Sequence, residues 1–461
     1  MKRWTSGWTR RRAVASAAAL SATVATACES PGQPAAEQPR QRPARSVPLT
    51  LWARSLSDKG VFDHITPLVE QRHPHLAVTV EVASDIFDKL TVALAGGSVP
   101  DLSVVNRAFG LFFIGKDAFV NLQPYLARDK AASQELQHYA PAALQTYTRA
   151  RNLYAIPTTN ESIVVWYNED LFRQQGLVPP HEFEDDRQRW TWDTLLDYAR
   201  KLNRGREQDR EVFGLWAGAR NVQTAWGNFV YSNGGRIITD DGAKMVLAEP
   251  PAIEAVQWAV DTIWKHDVQP QLASERATRN RVLFAQGRLA MAVEGEFFRR
   301  YLFGPQTPEG VPFKFNLAQI PFAPRTKTRA CVFHSLGLPA LRDGRDPDAA
   351  WEYLTVFATK DAQQHITDGW GSRGGHRGTY EPWLESNAGG GPPANYAAIV
   401  KSDAYGKQQL ASPYLGPNDL YEAVNRLMPQ MFDNELPVRT GLQQIDEQTN
   451  QKLAAAGAPQ R

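Results

Sequence analysis

Cysteine is scarce in this chain, which has only Cys28 and Cys331 among 461 residues. A disulfide framework needs several cysteines, so the class of small, disulfide-stapled secreted proteins is excluded. Stability must therefore come from a buried core, and a chain of this length can build two or three domain-sized units. The composition agrees, because 43% of the residues are hydrophobic and 22% are charged, as in soluble globular proteins.

Apolar runs are short. The run at residues 13–27 falls below the roughly 17–25 residues that a membrane-spanning helix needs. It follows Arg10, Arg11 and Arg12 and precedes Cys28, an order typical of an export signal. Residues 9–14 are similar to a twin-arginine signal and residues 25–28 to a bacterial lipobox, although alanine stands at position 25 where leucine is usual.

We therefore expect a signal peptide at residues 1–27 and lipidation of Cys28, which would tether the exported protein outside the cytoplasmic membrane. Cleavage of an ordinary signal is the alternative. Residues 28–47 are rich in proline and predict an extended spacer between the anchor and the body.

Excess positive charge is also missing from the mature chain. The whole chain has a net charge of +2, and subtracting the five basic residues of the signal leaves about −3. This balance argues against nucleic acid as a partner.

Metal and cofactor motifs are absent or incomplete. His73 and His75 are close in sequence but have no third ligand nearby, so we expect no metal site. The segment 110–116 has the spacing of a phosphate loop, yet Asp117 follows where serine or threonine is needed. The segment 369–374 has the dinucleotide glycine spacing but follows a predicted helix rather than a strand. We expect no cofactor.

The body begins with alternating strands and helices. Residues 49–53, 76–82 and 102–105 predict strands, while 61–69 and 87–94 have helical spacing. This β-α-β-α-β order predicts a largely parallel, doubly wound sheet.

A second α/β stretch covers about residues 158–321. Its strands are predicted at 163–167 and 289–293, and its helices at 191–202 and 253–264. One late helix is expected at 348–366, and a helical tail at 420–453.

Several motifs in order resemble the extracellular solute-binding proteins of ATP-driven importers, specifically the sugar-binding, maltose-binding-protein-like type. The matching segments are Leu49–Trp52, Gly96–Leu102, Leu153–Pro157, Val165–Phe172, Asn233–Gly235 and Phe284–Gly295. The resemblance implies two doubly wound α/β lobes joined by a hinge, the type II periplasmic-binding-protein fold, with ligand in the cleft between them.

The resemblance also implies the domain limits and the partners. Lobe one would comprise residues 48–158 and 324–372, and lobe two residues 159–323 and 373–461, with crossings near Thr158, Ala323 and Arg373. A monomer that is not an enzyme would capture a small solute, expected to be carbohydrate, and deliver it to the permease of an ABC transporter.

Ligands of open α/β sheets bind beyond the carboxyl ends of the strands. Arginine, asparagine and glutamate there would bind sugar hydroxyls, and aromatic rings would stack on the sugar's C–H faces. The candidate ligand-binding residues at strand ends, at the hinge and on the third crossing are Arg54, Ser55, Asn106, Arg107, Asn160, Glu161, Trp226, Glu294, Phe297, Trp370 and Arg373.

Structural roles remain open for some of these residues. Arg107 would serve equally as an interlobe partner, and Glu161 as a hinge support. Two other functions also remain open. An exported glycan-active enzyme would use Glu294 or Glu296, whereas a binding protein for a phosphate compound would bring Arg54, Arg107 and Arg373 into one cleft. A peptide or a polyamine is a further candidate solute.

Overall fold

The computed structural model describes residues 46–205, 210–218, 222–272, 279–302, 310–388 and 394–459. The predicted signal peptide, the lipidation site Cys28 and the spacer up to residue 45 lie outside the described residues. The strands are β1 Val47–Ala53, β2 Leu76–Val82, β3 Leu102–Ser103, β4 Val105–Asn106, β5 Thr148–Arg149, β6 Asn152–Leu153, β7 Ile156–Pro157, β8 Ile163–Asn168, β9 Met291–Gly295, β10 Phe315–Ala318, β11 Cys331–Val332, β12 Leu336–Leu338 and β13 Gly406–Lys407.

Helices account for most of the remaining regular structure. The α-helices are Leu56–Arg72, Ile86–Gly96, Arg107–Gly115, Gln123–Arg128, Lys130–Leu136, Pro141–Thr146, Glu169–Gln174, Trp192–Leu202, Trp226–Ser232, Pro250–Trp264, Asn280–Ala285, Arg299–Leu302, Pro347–Phe357, Lys360–Trp370, Tyr380–Ala388, Ala397–Ser402, Pro417–Phe432 and Val438–Ala455.

The first lobe contains the predicted parallel sheet, in the order β2-β1-β3. The helix Leu56–Arg72 joins β1 to β2, and the helix Ile86–Gly96 joins β2 to β3 on the far side of β1. Because right-handed crossovers in opposite directions place their helices on opposite faces, this sheet is doubly wound.

The second lobe is built on the sheet β10-β8-β9, in which both pairs are antiparallel. Along β8, Val165 and Tyr167 enter one hydrophobic core, while Val164 and Trp166 enter another on the opposite face. Both faces are covered, which explains why every residue of this strand is buried. The sequence predicted β8 and β9 but not β10, and it did not predict the direction of pairing.

The late helix predicted at 348–366 is two helices, Pro347–Phe357 and Lys360–Trp370. Thr359 has an extended backbone, and its side chain accepts a hydrogen bond from the N–H of Ala362. This N-cap starts the second helix and separates it from the first.

Three segments run side by side where the chain passes between the lobes. The Thr158 N–H donates to Leu336 O (2.8 Å), and bridges join Thr159 to Gly374 and Glu161 to His334. Phe333 belongs to the core of the second lobe and Leu336 to that of the first. We therefore place the second crossing between these two residues, later than the predicted Ala323.

Candidate functional site

Arg373 is the centre of a buried polar network at the third crossing. Its side chain is fully buried and donates to Glu296 Oε2 (3.0 Å) and to both carboxylate oxygens of Asp403 (2.9 and 3.1 Å). It also donates to Asn160 O (2.8 Å) and Ser162 Oγ (3.1 Å). These bonds join the third crossing to the first and to Glu296 and Asp403 of the second lobe, so in this structure Arg373 supports the hinge.

Asn160 and Glu296 are drawn into the same network. Burial raises the pKa of the Glu296 carboxyl, and the Arg373 guanidinium opposes that change. The Asn160 side-chain nitrogen Nδ2 lies 3.5 Å from the Tyr380 hydroxyl, and the side-chain oxygen Oδ1 has no hydrogen-bond partner among the described residues.

Glu161 connects the first, second and third crossings. One carboxylate oxygen accepts a hydrogen bond from Ser372 Oγ (2.5 Å), and the other lies 2.7 Å from His334 Nδ1. The glutamate is 2% exposed, whereas a quarter of the His334 side chain is exposed. Its position at the hinge fits both roles considered for it, which are ligand binding and support of the hinge.

Next to His334 lies a partly exposed group of aromatic and charged side chains. The Phe297 ring is half-buried, meets the His334 ring edge-on at 5.8 Å and lies 5.7 Å from the Arg281 guanidinium. Arg281 also stacks on Tyr301 at 3.9 Å, and Tyr301 is 47% exposed. We call Glu161, Arg281, Phe297, Tyr301 and His334 the hinge-side surface.

Glu294 lies behind this surface. It accepts a hydrogen bond from the Asn280 side-chain amide (2.9 Å) and lies 3.6 Å from Arg281 Nε. Burial raises its pKa, and the positive charge of Arg281 opposes that change. Glu294 and Glu296 are each 2% exposed and bind different partners, because β9 ends at Gly295 and a 3₁₀ turn begins at Glu296. The structure thus gives no exposed carboxylate pair here.

Arg54 and Trp370 meet at the end of β1. The Arg54 guanidinium lies 6.0 Å from the centre of the Trp370 ring and pairs with Asp58 at 2.7 Å. Trp370 is 4% exposed and packs edge-on against Phe62 at 6.3 Å. Ser55 caps the helix Leu56–Arg72 by accepting from the Asp58 N–H (3.1 Å).

The remaining predicted residues lie elsewhere. Asn106 caps the helix Arg107–Gly115, and its side chain accepts from the Phe109 N–H (3.0 Å). Arg107 donates to Thr146 O (2.7 Å) in its own lobe and to Gln409 O (3.1 Å) in the other. Trp226 is 1% exposed within the core of the second lobe, where its ring has no open face.

The three arginines that a phosphate compound would require do not converge. Arg54 binds Asp58, Arg373 binds Glu296 and Asp403, and Arg107 binds backbone carbonyls. Their separation removes the geometric reason for preferring a phosphate ligand in one shared cleft.

Sequence reasoning missed Arg281, Tyr301, His334 and Ser372. Arg281, Tyr301 and His334 belong to no motif found in the sequence, and the glycine spacing of the segment 369–374 gave no reason to single out Ser372. His334 and Ser372 bind Glu161 from 173 and 211 residues away.

The residues that the structure describes contain neither a metal-binding cluster nor a membrane-spanning helix. Among them, no group of three or more His, Cys, Asp or Glu side chains is arranged to hold a metal ion. In the same residues, no helix combines the length and the apolar character needed to cross a bilayer.

Several solved structures share this fold. The sugar-binding protein MalE from the phytopathogen Xanthomonas citri has a TM-score of 0.73 and 17% identity, covering 89% of this chain and 98% of its own. An ABC substrate-binding protein from Listeria monocytogenes, solved with cycloalternan, has a TM-score of 0.71 and 20% identity, covering 89% and 99%. Similarity at this identity establishes the type II two-lobe fold.

Two curated proteins match in sequence over shorter stretches. The arabinooligosaccharide-binding protein of Bacillus subtilis is 23% identical over 225 residues, which is 47% of each chain. A probable ABC transporter-binding protein of Deinococcus radiodurans is 26% identical over 127 residues, 27% of this chain and 28% of its own. The matched part thus spans less than half the length of these relatives.

The sequence profile of bacterial extracellular solute-binding proteins matches residues 59–364, about two thirds of the chain. That extent includes β2 and β3 of the first-lobe sheet, the first two hinge segments and the whole second-lobe sheet. The chain belongs to the family of bacterial extracellular solute-binding proteins.

Proposed function

We propose that this protein captures a sugar or an oligosaccharide in the cleft between its lobes, with the hinge-side surface forming part of the site. The observation that carries the proposal is the half-buried Phe297 ring, which lies 5.7 Å from the Arg281 guanidinium and 5.8 Å from the His334 ring, itself bound to Glu161. A sugar offers C–H faces to an aromatic ring and a rim of hydroxyls to charged, planar side chains. This surface offers both kinds of partner.

The relatives support the carbohydrate class. The Bacillus subtilis relative is named for arabinooligosaccharides, and the Listeria monocytogenes structure contains cycloalternan. Both are oligosaccharides, and we extend this ligand class to the present chain on the chemistry of Phe297 and its neighbours.

Binding would be coupled to movement of the lobes. Phe297 and Arg281 belong to the second lobe, while Arg54 and Trp370 belong to the first, and Glu161 lies on the hinge between them. A ligand that contacts both lobes favours the closed arrangement by its extra affinity for that arrangement.

We further propose that the loaded protein docks on the permease of an ABC transporter, whose separate ATPase supplies energy. The sequence has no complete phosphate-loop motif of its own. Lipidation of Cys28 would keep the protein beside its transporter, with residues 28–47 as the spacer. A capture protein delivers its ligand most efficiently when it is held near the membrane.

Titration with a panel of neutral oligosaccharides tests the ligand class, with tryptophan fluorescence and melting temperature as readouts. We expect at least one α-linked oligosaccharide or arabinooligosaccharide to raise the melting temperature of the protein in a saturable way. Shifts with dipeptides or polyamines but with no oligosaccharide would refute the carbohydrate assignment.

Two variants test the surface itself. Phe297→Ala and Arg281→Ala should each weaken oligosaccharide binding by about tenfold or more, by loss of stacking or of charge-assisted hydrogen bonds. Tyr125→Ala and Arg200→Ala are matched controls, because their partners lie outside the hinge-side surface: Tyr125 packs on Trp351, and Arg200 hydrogen-bonds to His266. Equal weakening in the controls would indicate a general loss of stability instead.

Lipid anchoring has its own test. Cys28→Ser should move the protein from the membrane fraction to the soluble extracytoplasmic fraction without changing oligosaccharide affinity. Equal fractionation of the two forms would refute the anchor and leave the binding proposal intact.

A further inference from the structure

The second crossing carries a histidine that is paired with a carboxylate of the first crossing. Glu161 and His334 exchange backbone hydrogen bonds, in which each N–H donates to the carbonyl oxygen of the other residue at 2.9 Å. Directly opposite residues of an antiparallel pair point their side chains to the same face. The side chains meet accordingly, with His334 Nδ1 2.7 Å from a carboxylate oxygen of Glu161. We call Glu161 and His334 the hinge pair.

The hinge pair lies where the chain passes between the lobes. Ile156 belongs to the core of the first lobe and Ile163 to that of the second, so Glu161 lies between the two cores. When two lobes rotate about a hinge, a few residues at such crossings absorb the change in backbone torsion. A change in the attraction between Glu161 and His334 therefore acts on the segments that must move.

Negative charge is in excess around the hinge pair. In the described part of the hinge, Glu161, Glu296 and Asp403 are the carboxylates, and Arg373 binds the last two of them. Burial raises the pKa of the Glu296 carboxyl, Arg373 opposes that change, and the nearby charge of Glu161 adds to it. Such an excess of negative charge favours the uptake of a proton by the cluster.

Other charged and titratable groups border the cluster. The Phe297 ring meets the His334 ring at 5.8 Å, and the Arg281 guanidinium lies 5.7 Å from the Phe297 ring. The Arg373 guanidinium lies 4.8 Å from the Tyr380 ring, and burial raises the pKa of Tyr380 to about 12, so its hydroxyl stays neutral. Arginine keeps its charge throughout the physiological range, whereas histidine ordinarily changes charge between pH 5 and 8.

Protonation of His334 changes the contact with Glu161 in kind. With the ring neutral and its hydrogen on Nδ1, His334 donates one hydrogen bond to a carboxylate. With the ring protonated, the same contact joins two opposite charges, and Glu161 is only 2% exposed, so water screens the attraction little. The stronger contact stabilises the lobe arrangement in which it is formed, which is the arrangement described here.

We propose that the hinge pair is a pH-sensitive switch of the lobe arrangement. A proton on His334 holds the hinge in the arrangement described here, and loss of that proton as the pH rises allows the lobes to change their opening. This proposal depends on the two-lobe fold alone. One consequence, a pH-dependent affinity for sugar beside Phe297, rests in addition on the proposed function.

Glu296 is the alternative site for the proton, and its protonation has the opposite effect. Its carboxylate accepts hydrogen bonds from the backbone N–H of Arg373 (2.8 Å) and from Arg373 Nε (3.0 Å). A proton on Glu296 would weaken these contacts and loosen the third crossing at low pH. The direction of the pH effect therefore distinguishes His334 from Glu296.

Small-angle X-ray scattering of the purified mature chain without ligand, at pH 5.5 and pH 8, tests the proposal. We expect the radius of gyration at pH 5.5 to match the lobe arrangement described here and to move away from it at pH 8. The population ratio of the two arrangements should change by about fivefold or more, the lower end of typical coupling between sites. An unchanged radius, or a match at pH 8 that is lost at pH 5.5, would overturn the proposal. Because no sugar is present, the outcome is independent of the ligand class.

Variants assign the effect to the hinge pair. His334→Asn keeps a side-chain N–H near the position of Nδ1 but cannot titrate, and Glu161→Gln removes the negative partner, so each should abolish the change between pH 5.5 and pH 8. His73→Asn is the matched control, because His73 is 22% exposed against 25% for His334, and its Nδ1 lies 3.3 Å from Glu352 within the first lobe. This control should keep the change. Persistence of the change in both hinge-pair variants, or its loss in His73→Asn as well, would overturn the assignment.

Discussion

Replacing Arg373 with methionine removes five side-chain hydrogen bonds at the hinge, to Glu296, Asp403, Asn160 and Ser162. Methionine fills much of the space but leaves two carboxylates without their cation. The side chain of Glu296 is 1% exposed and that of Asp403 is 21% exposed. Removing one partner of a buried ion pair costs about 3–5 kcal/mol, so we expect the free energy of unfolding to fall by about that amount.

The cost should depend on pH in a defined direction. Burial already raises the pKa of Glu296, and loss of Arg373 would raise it further. As the pH falls and Glu296 binds a proton, the uncompensated charge disappears. The difference between wild type and Arg373→Met should therefore be larger at pH 8 than at pH 5.

Urea unfolding followed by circular dichroism measures this difference. The control is Arg173→Met, since Arg173 is 71% exposed in its pair with Asp170 and its loss should cost at most about 1 kcal/mol. In Arg373→Met/Glu296→Gln we expect part of the stability to return, by about 1 kcal/mol or more.

Two results would contradict this reasoning. A cost below about 1 kcal/mol for Arg373→Met would show that the network adds little to the fold. Normal stability with complete loss of oligosaccharide binding would instead make Arg373 a ligand-binding residue, as the sequence predicted.

Three other predictions follow from the structure. Gly214→Ala should destabilise the protein by about 1–3 kcal/mol, because a Cβ there would overlap the Ala199 carbonyl. Gly60→Ala, in open space on a helix, should stabilise it by about 0.5–1 kcal/mol. Thermal unfolding measures both variants, and equal effects would refute the steric argument. Burial raises the pKa of Asp446 to about 6, above the unfolded value of about 3.9, so its contribution to stability is lost as the pH rises from about 4 to 6. The urea midpoints of wild type and Asp446→Asn should therefore diverge across this range. Parallel curves would refute the predicted pH dependence. Burial also raises the pKa of the Cys331 thiol to about 12. In Cys28→Ser, a disulfide reagent should therefore label Cys331 only as the protein unfolds. Rapid labelling of the native protein would contradict the burial of this thiol.

Much of the local structure could be predicted from the sequence. The alternation at residues 76–82 specified β2, and the helix after Thr191 begins with the predicted N-cap, whose side chain accepts from the Thr194 N–H. Such signals are local, because side-chain periodicity and capping depend on residues a few positions apart. The two-lobe fold was likewise predicted, from motifs in order along the chain.

The candidate site depended more on tertiary structure. Glu161 and Phe297 were predicted from strand ends and the hinge, yet their partners His334 and Arg281 were not. Trp226 shows the converse limit, because an aromatic residue before a glycine turn has the same local pattern whether its ring is in a cleft or a core. Its burial is decided by helices packed from elsewhere in the second lobe.

The sequence by itself determined where several of the longer strands and helices form, the scarcity of disulfide options, and membership of a two-lobe binding family. Only the tertiary structure decided what the arginines do. Arg373 and Glu296 are 77 residues apart, and Arg107 and Gln409 are 302 apart, so no local pattern relates them. Arg373 meets carboxylates and Arg107 meets carbonyl groups beside a cavity, because side-chain contacts depend on which distant segments the fold brings together.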